Sequence, residues 1–158
     1  MEAINRVGAY LINHAEEISR EMVEESLATV QIKVTEDLIQ LSVKSNAEFL
    51  ILLAESFKES DEVAAEELIE WSKKYGEEQA KLMSQLSALI KPYAENRLKF
   101  LKRITQISID HDLSTQDVVT INNRVSYLMD VSIIETIFAY EAYLAGLMYD
   151  RQKEINEL

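Results

Sequence analysis

Three glycines and one proline in 158 residues leave this chain almost without the residues that make tight turns. Glycine supplies positive φ and proline a fixed φ, and hairpin turns depend on both. An all-β fold needs such a turn about every ten residues, so that class is excluded and an all-α fold remains. Apolar residues make up 47% of the chain, which rules out a disordered tail. A domain of this length buries roughly 69% of its unfolded surface, so a single domain spanning 1–158 can form an ordinary core. With no cysteine there are no disulfides, thiolate metal sites or cysteine nucleophiles. The net charge of −12 would repel phosphate, which argues against nucleic acid as a partner.

No segment reaches the roughly 18 uncharged apolar residues expected of a membrane span. Val7 to Ala15 is free of formal charge but contains Gly8, Asn13 and His14. Glu2 follows the first residue at once, with no basic segment before an apolar stretch, so no signal peptide is read. The expectation is a cytoplasmic protein.

Helical periodicity runs through most of the chain. Ile4, Val7, Leu11, Ala15, Ile18 and Met22 recur every three or four residues, predicting helix from about 2 to 28 with a break near Asn13. Val30, Ile32 and Val34 alternate with polar residues in a strand-like pattern; a lone short strand has no partner, so the segment is assigned as a connection between helices. Thr35 before Glu36 and Asp37 can cap a helix start. Ser45-Asn46-Ala47-Glu48 has capping-box form and is expected to open a second helix through Phe49, Leu50, Leu53 and Phe57. The polar run from Lys58 to Glu62 reads as a loop. Helix resumes near Glu62, and Gly76 after Lys73, Lys74 and Tyr75 reads as its stop. Leu82, Leu86, Leu89 and Ile90 form a helix expected to be interrupted by Pro92. A further stripe follows at Tyr93, Arg97, Phe100, Leu101, Ile104 and Ile107. Asp110-His111-Asp112 is a loop, and Ser114 caps a last helix from 115 to near 156. Val131 to Met148 is apolar almost all round, as expected of a helix through the centre of a fold. The total is six or seven helices.

Catalytic chemistry is sparse. A ferritin-like di-iron site needs Glu-x-x-His, but Leu11 and Ser108 stand three residues before His14 and His111. Asp110-x-Asp112-x-Ser114 opens like a calcium loop, yet Thr115 replaces its glycine and Ile121 its glutamate. No nucleophile elbow or phosphate-binding loop is present. The expectation is that the chain is not an enzyme. The informative residues are polar groups on apolar stripes. Arg97 must find a carboxylate, an anion or water. It is therefore either an internal ion pair or snorkelling side chain, or an anion ligand. Glu135 or Glu141 is expected to face Arg97 or Arg124. His14 reads as a satisfied core histidine or a ligand contact. Trp71, Tyr127 and Tyr140 read first as packing residues, the tyrosines with a hydroxyl to offer.

The stretch Leu68-Ile69-Glu70-Trp71-Ser72-Lys73-Lys74-Tyr75-Gly76, with Ala80, Leu86, Arg97 and Leu101, resembles a known family. So do Leu113-Ser114-x-x-Asp117, Asp130, Tyr140 and the terminal Arg151-Gln152-Lys153-Glu154-Ile155-x-Glu157-Leu158. That family is the heme-less globin-like sensor domains at the N-terminus of RsbR-type stressosome proteins. Similar domains head some sporulation sensor histidine kinases of Bacillus. The likeness covers about 60–158 well and the first 60 residues loosely. It implies a globin-like bundle with a long C-terminal helix and no haem. No histidine occurs between Asp61 and Asn96 to ligate haem; Met83 or Tyr75 are the only substitutes, and His14 and His111 are badly placed. The resemblance further implies a fatty acid or similar apolar molecule in a tunnel, with a small anion such as chloride. Arg97, Tyr127, Tyr140, Trp71 and His14 are the ligand-binding candidates, and Arg97→Ala is expected to weaken acyl-chain binding. The chain ends at Leu158, where an output module begins in the multidomain members. The expected function is therefore that of a free-standing sensor domain, inhibiting sporulation by titrating signal away from a related sensor histidine kinase. A homodimer through the last two helices is expected. The alternative is a ligand-free interaction module that heterodimerises with a kinase or stressosome sensor domain.

Overall fold

The computed structural model describes residues 2–28, 33–82 and 86–158, with only the backbone at 61, 87 and 88. Six α-helices are present among them: α1 (Glu2–Asn13), α2 (Ala15–Ala28), α3 (Glu36–Glu55), α4 (Asp61–Lys81), α5 (Ser87–Asp110) and α6 (Thr115–Glu157). A short 3-10 turn, Ser56–Lys58, follows α3, and no strand occurs among the described residues. The all-α class with a long last helix is thus as expected. Most of the strand-like segment lies outside the described residues, as does Met83; Lys33 and Val34 have no regular structure and Thr35 is extended.

The helix starts follow local chemistry. Thr35, Ser60 and Ser114 each accept a hydrogen bond from the backbone N–H three residues on, at 3.4, 3.4 and 3.2 Å. His14 is the break between α1 and α2. The end of α5 closes without glycine. Asp112 takes φ 58°, its N–H reaches Ile109 O at 3.0 Å, and the Leu113 N–H reaches Ser108 O at 3.1 Å. Those two bonds are a Schellman closure, with Asp in the left-handed position that its short polar side chain tolerates.

Four expectations are corrected. Ser45 does not open a helix: α3 is continuous from Glu36 to Glu55. Val43, Ala47, Leu50 and Ala54 form one stripe across the supposed break, and burial of that stripe overrides the local capping signal. Gly76 does not stop α4, which runs on to Lys81. Pro92 does not interrupt its helix but lies inside α5 as its sixth residue, where its missing N–H costs a single i→i−4 hydrogen bond. Finally, the middle of α6 does not run through the centre. Its buried positions are Leu128, Ser132, Thr136 and Tyr140, whereas Ile134 and Phe138 are 49% and 61% exposed.

The core takes side chains from every helix. Val7 and Leu11, Ile18, Leu50 and Leu53, Leu68, Ile104, and Ile121, Val125 and Leu128 are all nearly inaccessible. The longest helix–helix contact is that of α4 along α6. It closes through Gly76: a Cβ there would lie 3.0 Å from Thr136 C, 3.1 Å from Ala139 Cβ, and nearer still to Thr136 O. At 1.5 Å per residue the 43 residues of α6 extend about 65 Å and the 24 of α5 about 36 Å. The last helix therefore outruns its neighbours, which is why its apolar circumference is not enclosed. An 18-residue window of α6 has mean hydropathy 1.3 and at most two charged residues. By length and composition it could cross a membrane, although no 18-residue stretch is free of charge; 17% of it is buried.

Candidate functional site

A cavity of about 640 Å3 lies among α3, α4, α5 and α6, with Ser19 and Met22 of α2 also in its lining. That lies within the range of roughly 300–1,000 Å3 typical of small-molecule sites. An aromatic wall runs along it: Phe49 and Trp71 have ring centroids 5.5 Å apart, and Trp71 stacks on Tyr75 at 5.1 Å, tilted by 6°. Phe100 continues the wall at 6.4 Å from Phe49. The Trp71 indole N–H donates to Glu48 at 3.1 Å, which fixes the ring on its outer edge. Met129 and Ile133 of α6 add apolar surface. Leu38, Leu41 and Leu82 line the cavity yet are 55, 60 and 71% exposed, so they form its open rim. A second hollow of about 740 Å3 between α2 and α3 is bordered by Glu16, Arg20, Asp37, Lys44 and Glu48, the lining of a solvated groove.

The lining also carries Ser19, Ser42, Ser45, Asn46, Gln79 and Asn96, and two further polar features tie α6 to its neighbours. The first is at Arg97. Its Nε donates to Asp130 Oδ1 at 3.2 Å and its Nη2 to Oδ2 at 3.3 Å, a side-on bidentate pair, and Nη2 also donates to Ser126 Oγ. The Tyr93 hydroxyl donates to the same Asp130 at 2.6 Å. Arg97, Tyr93 and Asp130 thus join α5 to α6. The hydrogen bond from Tyr93, followed by that from Arg97, holds the Asp130 carboxyl below the usual carboxylate range, against a desolvation effect that opposes it. Burial, then the bond to Asp130, pushes the Tyr93 phenol up to about 12. Arg97 and Asp130 remain 32% and 53% exposed, so the pair contributes at most about 1 kcal/mol to stability. Among the described lining residues Arg97 is the one formally charged group, and Asp130 cancels it.

The second feature is a chain of hydroxyls between α4 and α6. Ser72 Oγ donates to Leu68 O at 2.7 Å, so in the 2.7 Å contact between Ser72 and Ser132 the proton comes from Ser132. Thr136 donates to Ser72 O at 3.4 Å. Ser132 and Thr136 both line the cavity with their protons committed to α4.

Of the five candidate residues, two meet here: Arg97 and Trp71. The other three do not line the cavity. Tyr127 is 53% exposed on the outer face of α6. Tyr140 is buried in a small satellite cluster with Ala80 and Leu89. His14 sits at the α1–α2 junction, its Nδ1 2.9 Å from Tyr10 O and its ring stacked on Tyr10 at 4.1 Å. It is half-buried there, with one of its ring nitrogens engaged by that contact. Arg97 takes Asp130 as its carboxylate rather than Glu135 or Glu141, while Arg124 donates to Ser56 O at 2.5 Å and Glu59 O at 3.2 Å. Phe49, Tyr93, Asp130 and Ser132 are site residues that the sequence reading did not select. Ser72 together with the i,i+4 pair Ser132 and Thr136 carried a usable signal: small polar residues at helical spacing between apolar ones. No group of three or more metal-ligating side chains is found among the described residues. The chain matches no protein-family model, no curated protein and no solved structure.

The Tyr93 phenol gives a pH signature. A phenol whose folded-state pKa is raised contributes stability in full below the unfolded value near 10, and that contribution is lost as pH rises through about 12. Asp130 works in the opposite sense: its contribution is present above the ordinary carboxylate value and is lost as pH falls through the lowered one. Tyr93→Phe should therefore reduce the loss of thermal stability between about pH 9 and pH 12 relative to wild type. Melting curves across that window check it, and equal losses in both proteins would contradict it.

Proposed function

We propose that this chain is a non-haem, globin-like sensor domain that binds a single-chain apolar molecule of the fatty-acid type in the cavity beside Trp71. The observation that carries this reading is the cavity itself: about 640 Å3, with the aromatic rings of Phe49, Trp71, Tyr75 and Phe100 along it and Arg97 as the one formally charged group among the described lining residues. Sites of that make-up take ligands with a long apolar body. The six-helix order with a long last helix is compatible with the globin-like part of the proposal. The family resemblance supplies the biological setting: a cytoplasmic regulator that holds the ligand back from a sporulation sensor histidine kinase of the same sensor class. A homodimer through α5 and α6 belongs to the same reading, supported by the exposed Leu98, Ile109, Tyr127, Ile134 and Phe138.

Native mass spectrometry of the freshly purified protein tests the ligand. A mass excess that resolves into an acyl chain on organic extraction is the expected result. A clean protein mass under gentle conditions, together with no response of Trp71 fluorescence to added acyl chains, would instead favour the ligand-free interaction module. Expression in cells tests the setting, since sporulation should fall only where the related kinase is present. Equal inhibition in a strain without that kinase would sink the titration mechanism.

A further inference from the structure

Two of the cavity's polar features, at the α5–α6 and α4–α6 seams, bear on the charge of the head group it takes; Asn46, Gln79 and Asn96 also line it and carry no charge. Asp130 uses the Nε–Nη2 edge of Arg97 and the proton of Tyr93, leaving Nη1 as the remaining edge of the guanidinium. The cavity therefore carries no net positive charge, in a chain whose own net charge is −12. An anionic head group gains little from such a field. The hydroxyls deeper along α6 act in the same direction. Ser132 and Thr136 have given their protons to Ser72 Oγ and Ser72 O, so what they offer a ligand is lone pairs. A carboxylate has only acceptors and finds no partner in them, whereas an alcohol or a protonated acid brings the O–H they lack.

We propose that the cavity selects an uncharged, hydrogen-bond-donating head group on an apolar chain: a fatty alcohol, or a fatty acid in its protonated form. Asp130 is the residue that sets this preference by neutralising Arg97, and Ser132 receives the ligand's proton. This proposal rests on the acyl-chain reading above and adds the chemical class of the head group to it.

The test uses two probes of equal chain length, 1-dodecanol and dodecanoate, titrated below their aggregation limits near neutral pH. Trp71 is the only tryptophan and stands in the cavity wall, so its fluorescence reports binding directly. Wild type should bind the alcohol about tenfold more tightly than the carboxylate. Asp130→Asn keeps an acceptor for Tyr93 and removes the countercharge; it should tighten dodecanoate by roughly tenfold and leave dodecanol within a factor of about two. Ser132→Ala should weaken dodecanol and leave dodecanoate alone. The side chain of Asp130 is half exposed, and circular dichroism on both variants confirms that the fold is retained. Dodecanoate binding as tightly as dodecanol to wild type would overturn the proposal, as would an unchanged preference in Asp130→Asn. Saturable binding with the wrong preference refutes the head-group assignment alone, whereas no saturable binding of either probe refutes the acyl-chain reading beneath it.

Discussion

Gly76→Ala should destabilise the fold by about 3 kcal/mol, more than any surface substitution in this chain. The reason is geometric. The α4–α6 contact is the most extensive in the bundle, and at Gly76 the two backbones come so close that a methyl group would enter the space of Thr136 O and Ala139 Cβ. A carbonyl on a helix cannot rotate aside as a flexible side chain can, so the whole of α6 must shift away. That shift also moves Ser132 and Thr136 relative to Ser72, because all three hydroxyls bridge the same two helices. Loss of stability should therefore be accompanied by loss of ligand response at Trp71, one turn and a residue before Gly76. Chemical denaturation checks the first effect through the midpoint, and the fluorescence titration checks the second. In an ordinary helix interior Gly→Ala stabilises by up to about 1 kcal/mol. A stabilising or neutral result would therefore mean that the close crossing does not exist in solution. Gly146 is the control: nothing lies within 4 Å of a Cβ placed there.

The same glycine marks where sequence reading stops working. After Lys73, Lys74 and Tyr75 it has the local form of a helix terminus, and nothing in its neighbourhood in the sequence distinguishes that from a packing contact. Thr136, the residue that decides between the two, lies 60 positions away. Two caps were legible for the opposite reason: Thr35 and Ser114 act on backbone groups three residues on, so the cause is local. Arg97 shows both sides at once. Its place on an apolar stripe was enough to require a partner or a ligand. Which carboxylate it takes depends on the register of α5 against α6, and that register is set by distant core residues such as Ile104 and Val125. Trp71 and Arg97 could be selected one by one, but the cavity between them exists only once five helices are in place. His14 had two readings from sequence, and its contact with Tyr10 O engages one of its two ring nitrogens.

Phe138→Glu should raise the dissociation constant of the proposed homodimer by about 30-fold or more. The burial pattern along α6 is inverted. Between 131 and 140 the buried positions include Ser132 and Thr136, whereas Ile134 and Phe138 point outward at 49% and 61% exposure. A helix that keeps its small polar residues inside and its large apolar residues outside has two packed faces, only one of which is covered within this chain. Tyr127, Ile134 and Phe138 follow one another at seven and four residues, the repeat of a single helical stripe. Two copies related by a two-fold axis would bury that stripe against itself, and every substitution on it acts twice. A glutamate at 138 places two carboxylates in an apolar interface, without a cation on this stripe to receive them. In the monomer the same side chain is mostly in solvent, so its folding stability should change by no more than about 0.5 kcal/mol. Sedimentation equilibrium on wild type and variant separates the two quantities, with melting curves as the second measure. A wild type that is monomeric at tens of micromolar would remove the homodimer. If that monomer then bound to lipid vesicles, and Phe138→Glu abolished the binding, the apolar window of α6 would be the part of the chain that meets a membrane rather than a second copy.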